Sequence, residues 1–234
     1  MKLSRFTSLV LAATLTLPVV AHAQIVPMHF DGVKTAGGDA VGGAATGAYV
    51  AHATPAGSPF DIFCVDYDHT AQTTWTAHYV TFTEATTAGI IGSAANRQLG
   101  TDKAWGIQQL RAAAYLTTQF GAVGAGLADD NWDDVHGAIW SMFSNNAAPN
   151  AFTGMVANAI TVAGNNSFWD DNYSLLLDDR AFNSDIPASQ LNQAFITMDG
   201  GTHGNTVTPE TGTYALMGAG LMVVGFVRRR RAKA

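Results

Sequence analysis

Cys64 and His136 are the side chains with the widest chemical scope in this sequence. A thiol beside an imidazole makes a nucleophile pair when a third group orients the ring and the thiol pKa is depressed. Asp66, two residues from the cysteine, is the candidate orienter. The same pair could instead contribute to a metal site or pack in a core, where an unpaired cysteine behaves as a small hydrophobe. For zinc, Cys64 with His69, His78 or His136 has no recognisable ligand spacing, and no cofactor or metal is expected. There is no Gly-x-Ser-x-Gly elbow, His-Glu-x-x-His helix or Cys-x-x-Cys pair in the chain, so the expectation is a protein that is not an enzyme. A lone cysteine forms no internal disulfide, so the core must hold the fold.

Five tryptophans offer a second chemistry. Aromatic faces stack on sugar rings while neighbouring Asp and Asn accept hydrogen bonds from hydroxyl groups. Trp132 and Trp169 are flanked by Asp and Asn and are the expected exposed glycan contacts. Trp105 and Trp140 fall at helical positions that point to a core. Sixteen Asp against two Glu favour turns and helix caps. The acidic doublets lack the Asp-x-Asp-x-Asp-Gly spacing of a calcium loop.

The elements that must position these residues can be read from periodicity. Residues 36–48 are dominated by Gly and Ala and punctuate the chain. Residues 48–53, 60–67 and 75–83 read as strands, rich in β-branched and aromatic side chains. Helical period follows at 104–120, at 132–143 and at Phe152, Met155, Val156, Ala159, Ile160 and Ala163. Two late strands, 173–177 and 194–198, are expected to return to the sheet. This order predicts an α+β fold: a β-rich N-terminal half and a helical second half, forming a single domain over residues 24–198.

Both ends read as addresses. Lys2 and Arg5 precede an apolar run, and Ala21-His22-Ala23 supplies a small-x-small cleavage site. Residues 1–23 are therefore expected to be a secretory signal peptide, cut by signal peptidase before Gln24. Residues 199–207 read as a flexible linker. The segment 208–234 opens with Thr208, Pro209, Glu210 and Thr211, continues through an apolar stretch at 214–227, and ends in Arg228, Arg229, Arg230, Arg231 and Lys233. Fourteen helical residues reach roughly 21 Å, short of the ~30 Å hydrocarbon core. That length suits a temporary tether in the inner membrane, with an ordinary single-span anchor as the alternative. The arginines are expected to stay cytoplasmic. Over residues 24–211, the part expected to remain after processing, five basic residues face eighteen acidic ones, a formal charge of −13 in place of −6. Nucleic acid is thereby excluded as a partner.

The tail, with its Pro-Glu pair, Gly-spotted apolar helix and arginine cluster, resembles the PEP-CTERM sorting signal, with Thr211 where that family usually has a second proline. The resemblance implies processing by an exosortase-type enzyme, and a cell-surface or extracellular-matrix destination among exopolysaccharide and biofilm. Thr208-Pro209-Glu210-Thr211-Gly212 also looks like a sortase box with Thr for Leu. In the mature part, the series Phe63-Cys64-Val65-Asp66, Trp75, Tyr115-Leu116 and Val135-His136-Gly137-Ala138-Ile139-Trp140 resembles the thioester (TQxA) domains of bacterial surface adhesins. In that family a strand Cys joins a Gln as an internal thioester. The motif aligns its Gln with His136, which has no amide, while Gln108, Gln109 and Gln119 fail to match it. The resemblance therefore implies a degenerate adhesin without the covalent bond. The reading that results is an exported, non-enzymatic surface or matrix protein, with the degenerate adhesin second and a Cys–His hydrolase third.

Overall fold

The computed structural model describes residues 24–33, 40–41, 44–99, 103–122, 132–147 and 151–198. The expected leader 1–23, the expected linker 199–207 and the expected sorting segment 208–234, with Thr208, Pro209, Glu210, Thr211 and Arg228, Arg229, Arg230 and Arg231, lie outside the described residues. Among those described, no helix is long and apolar enough to cross a membrane.

Six strands close on themselves as an antiparallel barrel: β1 (Gln24–Val33), β4 (Tyr49–Ala53), β5 (Phe60–Cys64), β8 (Phe195–Met198), β7 (Tyr173–Asp178) and β6 (Thr74–Thr81), with β6 returning to β1. A small ribbon of β2 (Ala40–Val41) and β3 (Ala44–Ala45) stands apart from the barrel sheet. Between β6 and β7 come the helices α1 (Phe82–Thr86), α2 (Ile90–Gln98), α3 (Ile107–Ala122), α4 (Trp132–Ser141), α5 (Thr153–Ala163) and α6 (Phe168–Asn172). The fold is thus mixed, β-rich first and helical after, and the two late strands complete the barrel wall. Closure leaves the barrel sheet itself without an edge strand among the described residues.

Strand alternation separates two cores. Met28, Ala51, Ile62, Cys64, Trp75, Leu176 and Phe195 pack inside the barrel. Phe63, Val65, Leu175, Leu177 and Ile196 face the opposite way, onto Leu110, Ala114, Leu116, Val135 and Ile139 of the helices. All six residues of β7 are buried because helices cover one face and the barrel interior the other. From Val135 to Ser141, every residue of α4 is buried. Its Trp140 leaves the helical layer and joins the interior cluster. At Gly137 a Cβ would stand 2.3 Å from the Phe152 ring, so this glycine permits the close approach of α4 to the segment opening α5.

Three elements carry no strong periodic signal. β1 holds Pro27 and a register shift between Phe30 and Gly32. Helix α1 opens on a capping box: Thr81 Oγ1 accepts from the Glu84 amide (3.2 Å), and Glu84 accepts from the Thr81 amide (2.8 Å). Helix α2 is held from outside itself, with Arg97 donating to the carbonyls of Ala181, Asn183 and Ile186.

Candidate functional site

Cys64 ends β5, and Val65 after it joins the core cluster that holds Val135 and Ile139 of α4. Helix α4 then lays His136 across the end of the strand. Its Nε2–H donates to the Cys64 carbonyl at 2.9 Å, and Nδ1 accepts the Gly47 amide at 3.0 Å. A backbone N–H on Nδ1 fixes the tautomer, so the ring is neutral with its proton on Nε2. Burial pushes its pKa down to about 3, only partly opposed by the Cys64 carbonyl. The ring stacks on Trp140, with centroids 4.1 Å apart.

The sequence pair is therefore brought together, but through the wrong atoms for nucleophile and base. His136 meets the cysteine carbonyl, whereas the thiol donates to the Asp66 carbonyl at 3.0 Å. Burial, with the Asp66 charge second, raises the thiol pKa; the Trp140 indole N–H lies near the sulfur and pulls the other way without closing a hydrogen bond. Asp66 does orient an imidazole, but that of His69, at 2.6 Å. The Asp66 pKa is raised by burial against the pull of His69. The His69 pKa is raised too: burial works against its charged form, but Asp66 and the Ala188 carbonyl outweigh it.

The β5–β8 register brings up a residue outside the candidates chosen from sequence. Cys64 lies opposite Phe195, and both face the barrel interior. Gln193 lies two residues before Phe195, just outside the paired residues of β8, and carrying the register on past Cys64 sets it diagonal to the cysteine. Such neighbours sit roughly 7–8 Å apart, within reach of a long side chain. The backbone between them is pinned: the Val65 amide donates to the Ala194 carbonyl (3.1 Å), and the Ala194 amide to Asp66 Oδ2 (3.3 Å). Gln193 also lines a cavity of about 450 Å³ with Tyr49, Tyr67, His69 and Thr70. The local signal, a glutamine leading into an alternating Ala-Phe-Ile-Thr strand, was present in the sequence but attached to no motif.

The tryptophan expectations need correction. Trp169 is 9% exposed, edge-on to Tyr115 at 5.9 Å and tilted against Tyr173 at 5.6 Å. Its acidic neighbour Asp170 turns the other way, into a bidentate pair with Arg111 (2.9 and 2.5 Å). Trp132 is half-buried, edge-on to Phe120 at 6.3 Å. The flanking carboxylates marked the outer side of each helix start, while the indoles cover the core. Trp169→Ala is accordingly expected to lower stability by about 3–5 kcal/mol, as large core truncations do. Thermal melting checks this, and an unchanged midpoint would overturn the assignment to the core. Trp140, fully buried, is a core residue as its helical position implied.

No protein-family model matches the chain, and no curated protein matches it in sequence. Among solved structures, the chain has a weak structural resemblance to the N-terminal thioester domain of a surface protein from Clostridium perfringens. The TM-score is 0.41 at 11% identity, over 74% of this chain and 98% of that one.

Proposed function

We propose that this chain is an exported cell-surface protein that acts by attachment rather than catalysis, and that its attachment chemistry resides in Cys64 and Gln193. The observation that carries the reading is the β5–β8 pairing that ends at Cys64 and Phe195, which, carried two residues on, sets Gln193 diagonal to the cysteine and beside a cavity. The Cys64 sulfur attacks Cδ of Gln193, the C–N bond breaks, and the amide nitrogen leaves as ammonia with the thiol proton. An internal thioester remains. An amine on an extracellular partner then attacks the same carbon, the S–C bond breaks, and the thiol is regenerated as the partner is joined. Each chain reacts once, so this is stoichiometric attachment, not turnover. The interior cluster shields the bond from water, and the cavity beside Gln193 is the approach for the nucleophile.

Delivery rests on the two ends: signal peptidase at Ala21, Ala23 and Gln24, and an exosortase-type enzyme at the tail after transient residence in the inner membrane. The extracellular polysaccharide of a biofilm is the setting that such a tail implies. The Cys–His hydrolase reading loses its support, since both His136 nitrogens are held by backbone groups.

Intact-mass measurement of the surface-exposed protein tests both parts at once. The expected mass starts at Gln24, lacks Arg228–Arg231, and falls short by one ammonia that maps to peptides containing Cys64 and Gln193. Methylamine should restore a free thiol and add one methylamine at Gln193, and Gln193→Ala should abolish the deficit. A full mass with a free thiol sinks the covalent chemistry, leaving a non-covalent surface protein. Retention of both ends sinks the sorting reading.

A further inference from the structure

On the outer face of the barrel, opposite the face that carries Cys64, three metal-ligating side chains converge from two strands. His29 on β1 stands directly opposite His52 on β4 in the register, and their rings stack with centroids 5.0 Å apart and 24° between planes. Asp31 occupies the step where the register shifts between Phe30 and Gly32, and Gly32 has φ +126°, a conformation that side chains rarely adopt. This irregularity bends the strand so that the Asp31 carboxylate spans the pair. One oxygen is 2.8 Å from His52 Nδ1 and the other 3.3 Å from His29 Nδ1. Bulges of this kind re-aim side chains at sites.

The three donor groups lie within 4.8 Å of one another. His29 Nδ1 is itself buried from solvent and closes no proper hydrogen bond, although it points at the carboxylate. We infer that His29, Asp31 and His52 form a site for a divalent first-row metal ion, with zinc as the ion of choice. Two imidazole nitrogens and one carboxylate oxygen are a donor set of the type found in zinc sites, which have ligand distances of about 2.0–2.2 Å. Small side-chain rotations would bring the three groups onto one ion, because none is locked in the core. The His29 and Asp31 side chains are 37% and 31% exposed, leaving a fourth position for water or for a ligand from a partner. Such an ion would staple the N-terminal strand β1 to β4, using groups that no sequence spacing joins.

The test is zinc titration of the metal-free mature protein by calorimetry, with thermal melting in parallel. The expected result is one saturable site with a Kd in the micromolar range or tighter, and a melting midpoint that rises with zinc. His52→Ala and Asp31→Asn should each weaken binding by about 100-fold or more and remove the zinc-dependent rise. His78→Ala, on the neighbouring strand and paired with Asp179, should leave both unchanged. Circular dichroism of the metal-free variants separates loss of a ligand from loss of fold; if His52→Ala does not fold, Asp31→Asn carries the test. Millimolar or unsaturable binding, or binding that survives both ligand substitutions, overturns the inference.

Discussion

Replacing His136 with alanine is expected to cost about 3–5 kcal/mol, lowering the melting midpoint by about 10 °C or more. The substitution leaves the Cys64 carbonyl and the Gly47 amide buried without partners, each worth roughly 1–3 kcal/mol. It also removes a ring stacked on Trp140. Glutamine at 136 should be far milder, because a side-chain amide supplies one N–H for the Cys64 carbonyl and one oxygen for the Gly47 amide. The same two proteins give a pH test. His136 has an ordinary pKa of 6.5 when unfolded and about 3 when folded. Below pH 6.5 the unfolded chain takes up a proton that the folded chain refuses. Its contribution is therefore complete above pH 6.5 and is lost as pH falls toward 3, at up to about 1.4 kcal/mol per pH unit. Between pH 7 and pH 4.5, denaturant melts of the wild type should lose about 2–3 kcal/mol more than those of His136→Gln. Other titrating groups are common to both proteins and cancel. Equal losses would show that His136 is not held neutral.

Asp178→Ala should follow it, at about 2–4 kcal/mol, from one stranded buried amide and the lost charge-assisted bonds to a partly exposed Arg180. The Asp178 carboxylate is buried at the end of β7 and accepts from the Asn192 amide (2.6 Å), the Arg180 amide (3.0 Å) and the Arg180 guanidinium (2.5 Å to Nη2). Gln98 completes the network. It accepts from the Asp178 amide (2.9 Å) and donates to the Asn192 carbonyl (2.7 Å), tying α2 to β7 and to the lead into β8. Removing the carboxylate strands a buried backbone amide and loosens the segment that carries Gln193. Asp179→Ala is the matched control. That neighbour is half exposed and pairs with His78, whose ring stays stacked on Phe182, so its loss should stay within about 1 kcal/mol. Thermal melts of the two variants decide the point: similar, small shifts would mean that the Asp178 network holds nothing together.

Several elements were legible in the residues alone, because their signals are local. Alternation located β4, β5, β6, β7 and β8 to within a few residues, and the 3.6-residue period located α3, α4 and α5. The acidity of the body and the form of the two ends also needed only the sequence. β1 escaped because Pro27 and the shifted register at Asp31–Gly32 break its alternation, and a barrel neighbour on each side, not its own pattern, makes it a strand. Helices α1 and α2 escaped because small and polar residues blur their apolar stripe. A capping box and the distant carbonyls bonded by Arg97 hold them instead. Trp169 was misjudged because its neighbours suggested solvent, although successive helical residues face different sides. Side-chain type and spacing along the chain thus determined which segments become strands and helices. Only the closed barrel decided that the strand ending at Cys64 lies beside the lead into β8 that carries Gln193, that His136 spends both nitrogens on backbone, and that His29, Asp31 and His52 converge. Those pairings are set by strand register and helix docking, where the partners are as many as 129 residues apart and no local pattern records them.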